Sequence, residues 1–227
     1  MPSNPTTART AILARIKSAN AAAGVPASTP ENTDRELLAI DLDFDRTGTL
    51  PEPECIELFR HRLEEYDAHV EIVDAADVPA TVAKLLANRP GRIVRPAGFP
   101  DAWSPPGIDW IDADSAKYAN LDSSAGVITT ATVAIAATGT IVLQHGPGQG
   151  RRAVTLLPDY LLCIVDAGHI VETVPEAFDR LDAVKPTTFI SGPSATADIE
   201  MTRIKGVHGP RFLDVIVVRS AEKEAGV

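Results

Sequence analysis

The sequence predicts an α/β domain in three layers, a mainly parallel sheet with helices on both faces. Three observations lead there. Short β-favouring runs alternate with helical patterns of about ten residues, the order that crossover units produce. Apolar residues make up 44% of the 227 positions, enough for a core that buries about 70% of the unfolded surface without disulfides or a structural metal. Glycine- and proline-bearing bends fall at the ends of the apolar runs, where α/β proteins hold their ligands.

In chain order, Thr7 to Asn20 places Ile12, Leu13 and Ile16 on one helical face, and Gly24 with Pro26 ends that helix. Four prolines, at 26, 30, 51 and 53, and many acids make residues 24–54 a connection holding one short apolar stretch, Leu37 to Ile40. Residues 1–50 therefore read as a helical arm with a proline-rich acidic connection, and 51–227 as the α/β domain. The arm's apolar stripe is the surface through which a homo-oligomer would form. Between Pro53 and Ala68, Ile56, Phe59, Leu63 and Tyr66 recur at steps of three and four, the pattern of a helix laid on a sheet. Strands follow at 69–73, 92–95 and 108–111, with a helix over 78–88 and a Pro/Gly-rich loop over 96–107. Val133–Ala136 and Thr140–Leu143 flank the turn Ala137-Thr138-Gly139, which predicts a hairpin. Helices over 151–157 and 175–184 and strands over 161–165, 187–190 and 213–218 complete the domain.

Charge and cysteine content narrow the function classes. With 31 acidic and 21 basic residues the net charge is −10, so a nucleic-acid duplex is repelled over most of the surface. The two cysteines, Cys55 and Cys163, are far apart and lack the spacing of zinc or iron–sulfur sites, so no metal and no cofactor is assigned. No apolar run approaches the roughly 20 residues that span a bilayer, and the N-terminus lacks the order of a signal peptide. A cytoplasmic protein is expected.

Candidate chemistry concentrates in four segments. In Phe189-Ile-Ser-Gly-Pro-Ser194, a buried strand ends at Ser191 and Gly192, and Ser194 or Thr196 is placed to cap a short helix with Asp198 and Glu200 in its first turn. The loop His145-Gly-Pro-Gly-Gln-Gly-Arg-Arg152 is neither a phosphate-binding Walker loop nor a dinucleotide fingerprint, yet Gly148 and Gly150 let the backbone approach a ligand. Arg151 and Arg152 sit at the start of a predicted helix, where adjacent cations cost about 0.3–1 kcal/mol each. A carboxylate or phosphate gripped by an arginine would offset that cost. Thr138, Gly139 and Thr140 present two hydroxyls and a backbone N–H at a tight turn. His208, with Asp198 as a partner, is the candidate acid–base group. Ser191 and Ser194 lack the Gly-x-Ser-x-Gly elbow of serine hydrolases.

Ile190-Ser-Gly-Pro-Ser, Thr196-Ala-Asp-Ile-Glu200 and Gly206-Val-His-Gly-Pro210 together resemble the C-terminal signature of the lactate-utilisation protein C family, the LUD domain. A second match runs through Ile135-Ala-Ala-Thr-Gly-Thr-Ile-Val-Leu143, Gly150-Arg-Arg152 and Leu156-Leu-Pro158. Two positions depart from the family's pattern: Ala137 stands where glutamate is common, and Leu161 where a histidine often follows the Leu-Leu-Pro turn. The resemblance implies a fold similar to that of the CoA transferases and ribose-phosphate isomerases. It also implies a part in oxidising L-lactate to pyruvate beside iron–sulfur partner proteins.

Three functional readings follow. In the first, the chain binds a small organic anion in a lactate-oxidising complex; in the second, it stands alone and takes a phosphorylated or CoA-linked ligand. In the third, it is an assembly factor docking through its arm. The first two place the ligand where Thr138–Thr140, Gly148–Arg152, Ser191–Thr196 and His208 would converge.

Overall fold

The computed structural model describes residues 5–25, 29, 35, 39–40, 44–196, 204–205 and 209–219. The chain divides into two units, residues 1–44 and 45–227. In the first, helix α1 (Pro5–Ala22) leaves Ile12, Leu13 and Ile16 exposed, and Gly24 at φ 70° takes the left-handed turn that follows it.

The second unit is built on a six-stranded sheet in the order β1-β12-β7-β4-β2-β3. Its strands are β1 (His69–Val73), β2 (Ile93–Arg95), β3 (Trp110–Asp112), β4 (Gly126–Thr130), β7 (Tyr160–Asp166) and β12 (Phe212–Val218), and all five pairings are parallel. Both faces are covered, and the side-chain alternation shows it. Leu161, Cys163 and Val165 of β7 join one core while Tyr160, Leu162 and Ile164 join the other.

On the first face lies α2 (Glu52–Glu64), which buries Ile56, Phe59 and Leu63 at the predicted spacing with Cys55 beside them, whereas Tyr66, expected on the same face, lies beyond the helix and is exposed. Its outer face is tied by Arg60 to Glu57 and Glu64. The helix stops before the predicted Ala68, because Asp67 adopts φ 65° and the Ala68 N–H turns back to the Leu63 carbonyl. On the other face α3 (Val78–Leu86) buries Val78, Val82 and Leu86. Two short helices complete the first face, α4 (Tyr118–Asp122) through Leu121 and α5 (Arg152–Leu156) through Val154.

The predicted hairpin is present as β5 (Val133–Ile135) and β6 (Thr140–Leu143), paired antiparallel. It belongs to a separate four-stranded sheet, β8-β5-β6-β9, with β8 (Ile170–Val171) and β9 (Thr188–Ile190) on its edges. Ala134, Ile141 and Leu143 face the first core, while Val133, Ile135 and Val142 meet Ala177 of α6 (Val174–Asp179). Sheet therefore packs on sheet across one face of the parallel layer.

Three further sequence expectations change. The helix expected over 175–184 starts on a Thr173/Glu176 capping box and ends at Asp179. The buried amide of Gln144 then takes the chain, donating to the Asp182 carbonyl at 2.9 Å and accepting from its N–H at 3.2 Å. Phe189, expected in a buried strand, lies on an edge strand, 46% exposed, and stacks on Phe178 at 5.8 Å. The helix start expected at Ser194 to Thr196 is instead β10 (Ala195–Thr196), paired antiparallel with β11 (Ile204–Lys205). Just before it the Ser194 N–H is taken by the Pro210 carbonyl at 2.8 Å, so the ladder rather than a helical turn uses the local backbone groups.

Candidate functional site

The bend after β9 forms one wall of a cavity of about 360 Å³, within the usual size range of small-molecule sites. Arg152, the first residue of α5, forms the facing wall with Thr155 and Leu156, and Leu161 and Leu213 at the N-terminal ends of β7 and β12 close its floor. Ser191, Gly192 and Ser194 contribute the polar rim. Gly192 is required there: its φ is 105°, and a Cβ would lie 2.6 Å from the Tyr66 Cβ.

The Thr-Gly-Thr turn reaches this cavity through a chain of hydroxyls. Thr138 Oγ1 lies 2.7 Å from Thr140 Oγ1, which lies 2.7 Å from Ser191 Oγ. Pairing of Ile141 with Ile190 across β6 and β9 brings Thr140 and Ser191 together. Gly139, at φ 57°, lets the turn sit against the end of α2, where a Cβ would fall 2.7 Å from the Arg62 Cβ.

The adjacent arginines separate. Arg151 precedes the helix in extended conformation, and its Nη2 donates to the Ala116 carbonyl while its guanidinium lies 5.1 Å from the Tyr118 ring centre. These contacts offset the crowding of cations that the sequence predicts. Arg152 makes no ion pair among the described residues and lines the cavity. With its five residues α5 is a little over one turn, and among the described lining residues Arg152 is the one charged group, the others being apolar, glycine or hydroxyl-bearing.

Gly148 and Gly150 do not line this cavity. Gly148 donates to the Ala97 carbonyl at 2.7 Å and accepts from the Thr130 N–H at 2.9 Å, and Gly150 packs on Pro96. The loop is held by groups without an assigned role in the sequence reading. Gln149 Oε1 accepts from the N–H groups of Gln144 and His145, at 2.8 and 3.1 Å, and its Nε2 donates to Thr132 at 2.9 Å. His145 Nδ1 donates to the Gly150 carbonyl, which leaves Nε2 to accept from the Thr188 hydroxyl at 2.8 Å in the neutral ring. A glutamine between glycines was the available signal, since a buried loop must satisfy its own backbone N–H groups.

Asp198 and His208 lie outside the described residues, as does the Thr196 side chain. Arg211, next in sequence to the lining Pro210, grips Asp159 with two bonds of 2.6 and 2.7 Å and holds that carboxyl below the usual aspartate range. Cys55 and Cys163 are both buried thiols. Among the described residues no helix is long and apolar enough to cross a membrane.

Comparison with known proteins places this architecture. The LUD domain family profile matches residues 56–218. A lactate utilization protein C of Deinococcus radiodurans is 43% identical over 174 residues, 74% of this chain and 82% of its own length. One of Macrococcus caseolyticus is 38% identical over 118 residues, 48% of this chain and 51% of its own. Among solved structures, a crystal structure of a DUF162 family protein from Deinococcus radiodurans aligns with a TM-score of 0.66 at 37% identity. That alignment covers 75% of this chain and 99% of the other.

Proposed function

We propose that this chain, which belongs to the LUD domain family, serves lactate utilisation by binding a small 2-hydroxy or 2-oxo carboxylate in the Arg152 cavity. The observation that carries this reading is the cavity's chemistry: one arginine without an ion-pair partner among the described residues, a serine at the end of a hydroxyl chain, and an apolar floor. An arginine matches a carboxylate with two parallel bonds, and the Ser191 hydroxyl suits the neighbouring hydroxyl or carbonyl oxygen. The apolar floor of Leu161 and Leu213 receives the methyl end. The names of the similar proteins support the same metabolic role.

Oxidation of L-lactate to pyruvate removes two protons and two electrons, and the electrons need an acceptor. The chain's two cysteines are each buried apart from the other, on α2 and β7, and a cysteine-held cluster needs four ligands. In this reading iron–sulfur subunits of a cytoplasmic complex accept the electrons, and this chain binds and orients the acid for them.

The test is reconstitution with purified iron–sulfur partners. Lactate-dependent reduction of an artificial acceptor should depend on this chain and fall with the Arg152→Ala variant. Equal rates with and without the chain would contradict the proposal.

A further inference from the structure

A second opening lies beyond the C-terminal ends of β2 and β4, away from the Arg152 cavity. The strand order reverses here. From β2 the chain proceeds outward to β3, whereas from β4 the next strand of this sheet is β7, on the other side. The splayed connections at such a reversal leave a crevice, which is why ligands of open α/β sheets collect there. In this protein the crevice has a volume of about 600 Å³ and is bounded by the 96–98 bend, Asp114, Gly146 and Arg151.

Its lining carries one cation, one carboxylate and several backbone N–H groups. The 145–150 loop is tied by Gln149 and by the Gly148 bonds to Ala97 and Thr130 described above. Arg151 is oriented by the Ala116 carbonyl and the Tyr118 ring, and it forms no ion pair among the described residues although Asp114 borders the same crevice. The backbone N–H groups of Ala97, Gly98 and Gly146 donate to no acceptor among the described residues. A fixed guanidinium with several uncommitted N–H donors matches the three oxygens of a phosphomonoester better than the two of a carboxylate. Asp114 adds an acceptor at the rim, suited to hydroxyl groups.

From this juxtaposition we infer that the crevice at the β2–β4 reversal binds a hydroxylated phosphomonoester, with Arg151 on the phosphate and Asp114 on a hydroxyl. The site is independent of the Arg152 cavity and of the role proposed for it.

Glycerol 3-phosphate is the probe, titrated into the full chain by calorimetry, with inorganic phosphate and glycerol as separate arms. Two variants test the site. Arg151→Ala removes the cation. Gly146 lines the crevice and a Cβ added there meets nothing within 4 Å, so Gly146→Val adds bulk at its wall. Each should weaken glycerol 3-phosphate at least roughly tenfold, the loss expected for a charge-assisted contact or its steric exclusion. The Arg152→Ala variant should bind it as the unaltered protein does. Absence of saturable binding at millimolar concentrations, or affinity unchanged by both variants, overturns the assignment, as does loss through Arg152→Ala alone. Inorganic phosphate binding as tightly as glycerol 3-phosphate overturns the role given to Asp114. If Arg151→Ala fails to fold, Gly146→Val decides.

Discussion

The hydroxyl of Thr140 lies 2.7 Å from the hydroxyl of Ser191, across the β6–β9 pairing and 51 residues apart in sequence. This contact joins the Thr-Gly-Thr turn to the Ser-Gly-Pro-Ser bend. It makes the cavity rim part of a sheet rather than a free loop, and a rim fixed by sheet pairing loses less entropy when it orders a ligand.

Thr140 is 5% exposed, so its contact with Ser191 is partly shielded from water. Thr140→Val and Ser191→Ala, made singly and together, should show a coupling of about 0.5–1.5 kcal/mol in urea unfolding. Strict additivity would mean the hydroxyls do not interact.

Gly192 provides a steric prediction. An added methyl meets Tyr66 at 2.6 Å on a backbone at φ 105°, and strain of this kind costs about 1–3 kcal/mol. Gly192→Ala should lower the thermal midpoint. Gly107→Ala is the comparison: it shares a positive φ of 85° but has nothing within 4 Å, so the difference between the two isolates the clash with Tyr66.

A buried hydroxyl without a partner gives the third. Thr129 Oγ1 is buried and makes no hydrogen bond of ordinary geometry, although it stands in register with Cys163 of β7. Thr129→Val keeps the shape and removes the stranded group, so stability measured in urea should stay level or rise by about 1 kcal/mol. A loss of similar size would show that the hydroxyl is satisfied in solution.

Cys163 also predicts a pH dependence. Burial raises its thiol to about 12 from an ordinary 9.0, with the Thr129 hydroxyl acting the other way. The raised value means that the protonated thiol's contribution is complete below pH 9 and is lost as pH rises toward 12. Over that interval this group should reduce stability by up to about 1.4 kcal/mol per pH unit, since the unfolded chain releases a proton that the folded chain retains. Cys163→Ala should flatten the alkaline limb of a urea-midpoint profile. An unchanged slope would place the effect elsewhere, first on Tyr160, whose hydroxyl is likewise pushed up by burial and then by Asp214.

Much of the fold was legible because its signals are local. Positions 56, 59 and 63 share a helical face, and Ala137-Thr138-Gly139 sits between two β-favouring runs, so α2 and the hairpin could be read directly. The second sheet could not, since β5 and β6 are buried on both sides and carry no alternation to say which layer they join. Strand β4 was missed for a similar reason: Gly126 opens it, required by Tyr160 within 2.6 Å of any Cβ, and a glycine weakens the strand pattern. In the site, residue types pointed to Arg152 and Ser191. The parting of Arg151 from Arg152 depends on the extended backbone at residue 151 and on Ala116 and Tyr118, none of which local spacing reveals.

In the proposed site Arg152, and not its neighbour, holds a small carboxylate. Calorimetric titration of the purified protein with L-lactate and pyruvate tests it most directly, comparing the unaltered chain with Arg152→Ala and Arg151→Ala. Saturable binding is expected, weakened at least roughly tenfold by Arg152→Ala and left in place by Arg151→Ala. Binding that survives Arg152→Ala unchanged, or no binding of either acid, would contradict it.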